Sequence, residues 1–270
     1  MSGRIEKIFY DLGRLDNLAE EDSPVHRLDP IAKVLTTLVF VVMVVSFDKY
    51  TISGLLPFFL YPALLIGIGN LPFYYFVRKL LLVSPFVLCI GIFNPLLDRS
   101  ILLEIGPLAI SGGWLSFFSL LLRFVLSVSA ALLLIATTGF PAICQALNRM
   151  GAPRIFTVQL LFLYRYLFVL TEESIRMLRA HSLRSFGKKV DFSVFKQLLG
   201  NLLLRTLARA QRIHLAMLSR SFTGEIRLMH QHRIGVAELV FSIGGIGAFI
   251  LLRFNNLPQL LGRLLLGYSS

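Results

Sequence analysis

The chain has few of the residues from which catalytic and metal-binding sites are built. Only 15 of its 270 residues are Asp or Glu, and none of them lies inside the first four long apolar runs. Its two cysteines, Cys89 and Cys144, have no Cys or His at ligand spacing, so we interpret both as packing residues, with a disulfide or metal role as the alternative. Proton transfer and metal binding in an apolar environment require acids or histidines. These absences argue against an enzyme site or a transport site within the apolar runs.

Motifs for nucleotide hydrolysis and acyl transfer are missing as well. The chain has no G-x-x-x-x-G-K-[ST] loop and no G-x-S-x-G turn, so we expect it to hydrolyse no ATP by itself and to hold no cofactor. His230 and His232 would point to different faces of a helix, which favours a solvated pair over a metal site. The positive charge of the chain is not accompanied by a soluble basic module, so nucleic-acid binding is not expected.

What the chain has in abundance is apolar sequence. Hydrophobic residues make up 56% of it, 23 residues are Phe, and the mean hydropathy is +0.73. Soluble proteins have roughly 45–50% apolar residues, and a membrane-spanning helix needs roughly 17–25 residues with few charges. The first thirty residues have no apolar core and do not resemble a secretory signal. The candidate spans are 31–47, 52–69, 80–97, 114–138, 155–170 and 234–252.

Positive charge is concentrated in one segment. Residues 172–233 contain twelve Lys or Arg against four acids, so most of the net charge of +12 lies there. Basic segments stay on the cytoplasmic side of a membrane. If all candidate spans crossed from a cytoplasmic N-terminus, this segment would lie outside. An outside N-terminus would misplace other basic loops, so we expect instead that 155–170, which contains Gln159 and Arg165, does not cross.

The basic segment then predicts two long helices. One extends from about Arg154 to about Phe186, and after a turn at 187–191 a second extends from about Phe192 to about Ser221 and ends at Thr223-Gly224. We expect an antiparallel pair, basic at its tip, that closes at Arg184 and Arg220. The predicted fold is all-α, with about five transmembrane helices and this cytoplasmic pair. The predicted division is an N-terminal cytoplasmic segment 1–30, transmembrane helices 31–138, the cytoplasmic pair 139–233, and a last span with a tail, 234–270.

Five further residues at three sites are singled out by charge or by capping chemistry. Asp29 and Pro30 have the residue types of an N-cap and a first helical position, and Lys33 falls near the membrane boundary. Arg123 lies within the fourth span and either reaches an interface or pairs in the interior. Arg165 leaves the same two interpretations open, with Glu172 or Glu173 as partners.

Several short motifs resemble those of one transporter family. Leu28-Asp29-Pro30-Ile31-Ala32-Lys33 resembles an L-D-P-x-x-K start, and Tyr164-Arg165-Tyr166-Leu167 leads to Glu172-Glu173. Two triplets, Leu183-Arg184-Ser185 and Ser219-Arg220-Ser221, resemble the Ala-Arg-Gly motifs of coupling helices, with Ser in place of Gly and with Leu183 and Ser219 in place of Ala. The chain thus resembles the transmembrane T component of energy-coupling factor (ECF) transporters. The segment 15–19 is similar to the cobalt and nickel subgroup, CbiQ.

The resemblance implies a non-catalytic subunit of an ABC-type importer in a bacterial cytoplasmic (inner) membrane, with a cytoplasmic N-terminus. Two ABC ATPase subunits, similar to CbiO or EcfA, would bind the coupling helices at Arg184, Ser185, Arg220 and Ser221, flanked by Leu183, Ser219 and Gly224. A substrate-binding S component similar to CbiM would capture cobalt or nickel, and the bilayer would surround the spans.

Alternatives to this interpretation differ in what they need from the sequence. A T component that serves vitamin-type S components would share all of these motifs. A conventional ABC permease usually has one short coupling helix with a Glu-Ala-Ala-type loop, and a membrane transferase needs an acidic metal motif that the chain lacks.

Overall fold

The structure, a computed structural model, describes residues 18–93, 95, 101–105, 108–186, 191–222, 224 and 235–254. These residues are overwhelmingly helical, which confirms the all-α prediction. The helices are α1 (Pro30–Val45), α2 (Leu60–Gly69), α3 (Phe73–Gly91), α4 (Gly112–Thr138), α5 (Phe140–Arg149), α6 (Arg154–Arg184), α7 (Phe192–Leu218) and α8 (Val236–Phe254). Helices α5 to α7 belong to one compact unit, and the other described elements belong to a second.

Length and composition identify the helices that suit a bilayer. Among the described residues, α3, α4, α6 and α8 are long and apolar enough to cross a membrane, while α1 and the segment Ser53–Gly69 are shorter apolar helices. Their exposed surfaces carry many large apolar side chains, such as Tyr74, Phe86 and Val240. An apolar exterior of this kind is stable only against lipid or a partner. The chain is therefore a multi-pass membrane protein.

The start of α1 follows from local chemistry. The Asp29 carboxylate accepts a hydrogen bond of 2.8 Å from the backbone N–H of Ile31, and Pro30 is the first residue of the helix. The carboxylate satisfies a donor that the helix leaves free, and proline has no N–H to satisfy there. The predicted N-cap is confirmed.

Two predicted spans have different bounds from those expected. The run 52–69 is not one helix but a 3-10 helix, Ser53–Phe59, followed by α2, because Pro57 has no backbone N–H for a continuous α-helix. Helix α3 begins at Phe73, directly after Pro72, and not near residue 80. Arg78 and Lys79, which precede the candidate span 80–97 in sequence, therefore lie within a helix.

The segment before α4, expected as a loop, contains a short antiparallel hairpin. Strands β1 (Ile101–Ile105) and β2 (Leu108–Ser111) pair so that Ile105 lies opposite Leu108 and Leu103 lies opposite Ile110, with an irregularity between Ile101 and Leu103. Sequence periodicity gave no sign of this hairpin, because each strand has at most five residues.

Aromatic rings hold the core of the unit that contains α1 to α4 and α8. Phe40 of α1 is fully buried, and its ring centroid lies 4.6 Å from that of Tyr61 and 5.2 Å from that of Phe249 in α8. Phe58 and Leu126 belong to the same buried cluster. Aromatic pairs at such distances stabilise a core beyond the area they bury. The last helix is thus held against the first by ring contacts.

Gly91 lets α3 approach α4 closely, and its substitution tests that contact. A Cβ at this position would lie 2.8 Å from the Phe117 ring, whereas one at Gly67, in an exposed part of α2, would meet nothing within 4 Å. We expect Gly91→Ala to lower the free energy of unfolding in detergent by about 1–3 kcal/mol through overpacking. Gly67→Ala is the matched control and should leave it unchanged or raise it. Equal effects of the two substitutions would contradict the close approach.

Candidate functional site

Helices α6 and α7 form an antiparallel pair. Midway along it, the Arg205 guanidinium donates a hydrogen bond of 2.7 Å to the Glu173 carboxylate. On one side of this ion pair, Leu178 and Leu198 line a common groove, and on the other side Phe162 and Met217 do so. Residue numbers thus rise along α6 as they fall along α7. The two predicted long helices and their antiparallel arrangement are confirmed.

The two arginines of the repeated triplets lie at opposite ends of this pair. Arg184 ends α6 beside the connection to α7, and Arg220 follows the far end of α7. Helix α7 has 27 residues, and at about 1.5 Å per residue its ends are roughly 40 Å apart. The expectation that the pair closes at both arginines is wrong, because helices joined by a short turn run in opposite directions and their C-terminal ends lie apart.

At the far end of α7, Arg220 lies within a C-terminal capping motif. The Phe222 N–H donates to the Met217 carbonyl (3.1 Å), and the Ser221 N–H donates to the Leu218 carbonyl (3.0 Å). Ser221 takes a left-handed conformation, with φ of 56°. This is the Schellman arrangement, in which glycine usually occupies the left-handed position. The expected stop at Thr223-Gly224 is wrong: α7 ends at Leu218, Thr223 lies outside the described residues, and Gly224 has φ of 86°.

The end of α6 uses a different residue for the left-handed position. The Ser185 N–H donates to the His181 carbonyl (2.9 Å), and Ser185 keeps a negative φ of -91°. The left-handed residue is Phe186, with φ of 49°. The two triplets are therefore alike in sequence, but their backbones turn one residue apart.

Both arginine side chains are exposed on the surface of this unit. The side chains of Arg184 and Arg220 have neither a hydrogen-bond partner nor an ion-pair partner within the described part of the chain. Each guanidinium has five N–H donors and keeps its charge at any physiological pH. The ends of the pair therefore offer two separate, fully charged groups to carboxylates or carbonyl oxygens of another molecule.

An ion-pair cluster around Glu173 links the middles of α6 and α7. Arg165, in the Tyr164-Arg165-Tyr166-Leu167 motif that precedes Glu173, is not part of it. Glu173 binds Arg205 and also Arg176, at 2.7 and 3.1 Å. Arg165 is exposed and makes no ion pair with Glu172 or Glu173 within the described residues. The interior-pairing interpretation of Arg165 is therefore wrong for this unit taken alone.

Two aromatic residues of the same motif contact different helices. Tyr164 stacks on Phe140 of α5, with ring centroids 4.6 Å apart. Tyr166 lines the groove between α6 and α7, together with Ile213. One turn of α6 thus joins all three helices of the unit.

The Glu173–Arg205 ion pair links the middles of α6 and α7, and a double-mutant cycle measures its contribution to stability. We expect Glu173→Gln and Arg205→Gln to be non-additive in the free energy of unfolding, with a coupling of about 0.2–1 kcal/mol, because the pair is partly exposed. Glu172→Gln, which alters the neighbouring exposed acid, is the control and should be additive with Arg205→Gln. Additivity in both cycles would rule out a contribution of this ion pair to stability.

The L-D-P-x-x-K motif forms a buried cluster in the other unit. The Lys33 side chain is only 4% exposed, and its Nζ donates to the carbonyls of Thr137 (2.7 Å) and His26 (3.3 Å). Thr137 belongs to the last turn of α4, where carbonyl groups lack helical partners and carry partial negative charge. Lys33 therefore fastens the start of α1 to the end of α4.

The surroundings of His26 in this cluster disfavour its charged form. Burial, followed by the positive charge of Lys33, lowers the pKa of His26 below its ordinary value. The Ser23 hydroxyl lies 2.6 Å from its Nδ1 atom. Because the pKa is lowered in the folded state, the cluster is most stable above the ordinary histidine pKa of about 6.5 and loses stability as the pH falls.

Removal of the Lys33 ammonium tests the cluster. We expect Lys33→Ala to lower the free energy of unfolding by about 1–3 kcal/mol, because it leaves the Thr137 carbonyl buried without a donor. Arg27→Ala is the control. It removes an exposed ion pair with Asp22, shortly before Lys33 in sequence, and should have little effect. The measurement is chemical unfolding in detergent. A Lys33 variant as stable as the Arg27 variant would contradict the assignment.

Two arginines outside the coupling triplets donate hydrogen bonds to backbone carbonyls at the C-terminal end of α1 and just after it. The Arg123 guanidinium donates to the Asp48 carbonyl and, at 3.0 Å, to the Ser119 hydroxyl. Arg253, which sequence reasoning did not single out, donates to the carbonyls of Met43 (3.3 Å) and Ser46 (3.1 Å). Arg123 thus pairs, half-buried, with backbone at a helix end. Arg253 lies in a segment whose only signal was a single charge at the end of an apolar run.

The cysteine and histidine predictions have mixed outcomes. Cys144 is buried, as a packing residue should be, whereas Cys89 is exposed on α3, and both are free thiols. Within the described ranges no group of three His, Cys, Asp or Glu residues is arranged to hold a metal ion. His230 and His232 lie outside those ranges.

Comparison with known proteins identifies relatives in one transporter family. The sequence model of the family described as "CbiQ, cobalt transport protein" matches residues 21–231. The chain is 31% identical to the cobalt transport protein CbiQ of Salmonella typhimurium over 109 residues, 39% of this chain and 48% of that protein. It is 25% identical to the energy-coupling factor transporter transmembrane protein EcfT of Thermosediminibacter oceani over 244 residues, 85% of this chain and 89% of that protein.

A third relative is an uncharacterized protein of Methanocaldococcus jannaschii, 26% identical over 125 residues. The match covers 45% of this chain and 43% of that protein. The matched regions thus span less than half of this relative and of the Salmonella protein, and most of the Thermosediminibacter protein.

Proposed function

The chain belongs to the CbiQ family of cobalt transport proteins, transmembrane components of energy-coupling factor transporters, and on that premise we propose that it couples two ABC ATPase subunits to an S component. Arg184 and Arg220 each dock in a groove on one ATPase. The chain itself is non-catalytic, and the partner subunits hydrolyse ATP. The complex lies in the bacterial cytoplasmic membrane, with the N-terminus and the α6–α7 pair on the cytoplasmic side. Helix α6 is long and apolar enough to cross, but in this proposal it does not, because crossing would place the basic segment 172–233 outside.

The observation that carries this proposal is the separation of the two arginines. The two ends of α7 lie roughly 40 Å apart, a distance larger than the diameter of a small protein domain. Two ATPase subunits therefore have room to bind the two ends of one helix pair at the same time. Each end supplies an exposed guanidinium, which suits bidentate contacts with carboxylates or helix-end carbonyls.

The same geometry indicates how ATPase motion reaches the rest of the complex. ATP-driven closure of an ATPase pair changes the distance between its two docking grooves. Continuous α-helices do not shorten, so α6 and α7 must bend, tilt or slide against each other. The Glu173–Arg205 ion pair joins the middles of the two helices, and we infer that the motion is transmitted as a movement of the whole pair. The S component receives this motion through its contacts with the T component.

The substrate is chosen by the S component and not by this chain. The CbiQ name of the matching family and of the Salmonella relative supports cobalt, or the chemically similar nickel, with a CbiM-like S component. The relative with the widest coverage carries the general name EcfT. That name favours, as the second candidate, a T component that serves vitamin-type S components.

Substitution of the two arginines tests the proposal. We expect Arg184→Ala and Arg220→Ala each to release one ATPase subunit from the purified complex, and the double variant to release both and to abolish metal uptake. Truncation of a central charged contact typically weakens binding by about 2 kcal/mol or more, or roughly 30-fold. The measurements are ATPase co-purification and uptake of radioactive cobalt by cells.

The control for this experiment is Arg212→Ala, which removes an equally exposed charge from α7 outside either triplet. It should keep both ATPases and normal uptake. Normal uptake by the Arg184 and Arg220 double variant would refute the proposal.

A further inference from the structure

The resemblance between the two ends extends one residue past each triplet. Phe186 follows Ser185, and Phe222 follows Ser221, so both ends contain the sequence Arg-Ser-Phe. The residue before the arginine differs, since it is Leu183 at one end and Ser219 at the other. The ends are thus matched in charge and in the aromatic residue but not in the apolar residue that precedes them.

The two phenylalanine side chains have opposite environments. Phe222 is half-buried and lines the apolar groove between α6 and α7, beside Gln159 and Phe162. Phe186 is 96% exposed, and Leu183, one helical turn before it, is 74% exposed. At the Arg220 end the aromatic residue contributes to the pair itself, whereas at the Arg184 end two large apolar side chains have no cover within this chain's described residues.

The backbone explains this difference. At the Arg220 end the left-handed residue is Ser221, and the chain then turns so that Phe222 returns to the groove. At the Arg184 end the turn comes one residue later, at Phe186 itself, and the ring stays exposed. A bulky residue is disfavoured in the left-handed region, where Gly or Asn is usual. The Arg184 end therefore holds an aromatic ring in a costly conformation without burying it.

We propose that Leu183 and Phe186 form an apolar anchor that enters a pocket on the ATPase subunit docked at Arg184, an aromatic contact that the Arg220 end, where Phe222 is half-buried, does not offer. This inference rests on the proposed function. Phe186 is two residues from Arg184, so a protein bound at the guanidinium lies close to the exposed ring. Exposed aromatic residues beside an arginine are the usual composition of a binding hot spot.

The neighbourhood of the anchor defines the surface that fits it. Arg176, Arg184 and Arg205 line one open concavity that extends from the middle of the α6–α7 pair toward this end, and Glu173 in the same concavity is paired with Arg176 and Arg205, which leaves Arg184 as the arginine without an ion pair among these described residues. The complementary ATPase surface has an apolar pocket with carboxylates at its rim. The two docking sites of this chain are consequently unequal, and the ATPase at the Arg184 end depends on apolar contact area as well as charge.

Truncation of the anchor in the assembled T–ATPase complex, reconstituted in nanodiscs, tests this inference. We expect Phe186→Ala to weaken one of the two ATPase contacts by roughly 30-fold, and Leu183→Ser to weaken the same contact by a smaller factor. Phe186→Trp and Phe186→Leu should keep wild-type binding because they retain apolar bulk. Phe222→Ala is the matched control and should retain the ATPase at the Arg184 end. The readout is ATPase stoichiometry and dissociation rate, by native mass spectrometry and surface plasmon resonance.

A fluorescence experiment distinguishes an ATPase pocket from lipid as the cover of the ring. Trp114 is the only tryptophan, so Phe186→Trp in a Trp114→Phe background reports on position 186 alone. Its emission should shift to shorter wavelength when ATPase is added. A shift that is already complete in nanodiscs without ATPase would overturn the inference in favour of lipid.

Failure of this inference is separable from failure of the proposed function. If Arg184→Ala releases an ATPase and Phe186→Ala binds both ATPases as tightly as wild type, the apolar anchor is refuted while the docking function stands. If neither Arg184→Ala nor Arg220→Ala changes ATPase binding, the proposed function itself fails. A fold defect is excluded when Phe186→Ala elutes as wild type and Phe186→Trp binds normally.

Discussion

Helix α7 runs back along α6, and the Glu173 carboxylate meets the Arg205 guanidinium about midway along the pair. This antiparallel arrangement decides where the functional groups can be, because the C-terminal ends of the two helices are forced apart. Arg184 is the last residue of α6, and Arg220 lies two residues after the end of α7. A parallel pair would bring the arginines together at one surface, where a single partner would cover both. The observed arrangement instead places one arginine at each end of the α6–α7 pair, so that two partners can bind at the same time.

The two compact units differ in how far they bury their apolar side chains. The unit of α1 to α4 and α8 has a true core, built around Phe40, Phe58 and Phe249, and buried polar contacts from Lys33. Helix α7, in contrast, has 27 residues and buries none of them. An amphipathic helix that buries nothing within its own chain is completed by other molecules, which for a transporter subunit are lipid and partner proteins. The exposed ends of the pair belong to the same pattern.

Much of this fold is predictable from sequence where local chemistry decides it. The N-cap by Asp29 and Pro30 and the long helices α6 and α7 follow from residue type, periodicity and the absence of breakers. The short hairpin before α4 and the 3-10 helix at Pro57 are decided by few residues and give weak signals. The placement of Arg184 and Arg220 at one tip was an error of geometry, since the sequence already predicted an antiparallel pair. The opposite environments of Phe186 and Phe222 depend on a one-residue shift of a left-handed turn, which only packing against the groove decides.

The distance between the two ends of the α6–α7 pair tests the central claim most directly. Ser182 and Ala216 are exposed, lie near the two arginines, and belong to neither triplet. Spin labels attached to cysteines at these positions, with Cys89 and Cys144 replaced, report their separation by double electron–electron resonance. The antiparallel pair predicts a distance of about 30 Å between the two labels, because they are separated by roughly twenty residues along the helix axis at about 1.5 Å each. A distance of about 15 Å or less would place the arginines together and contradict two separate docking ends.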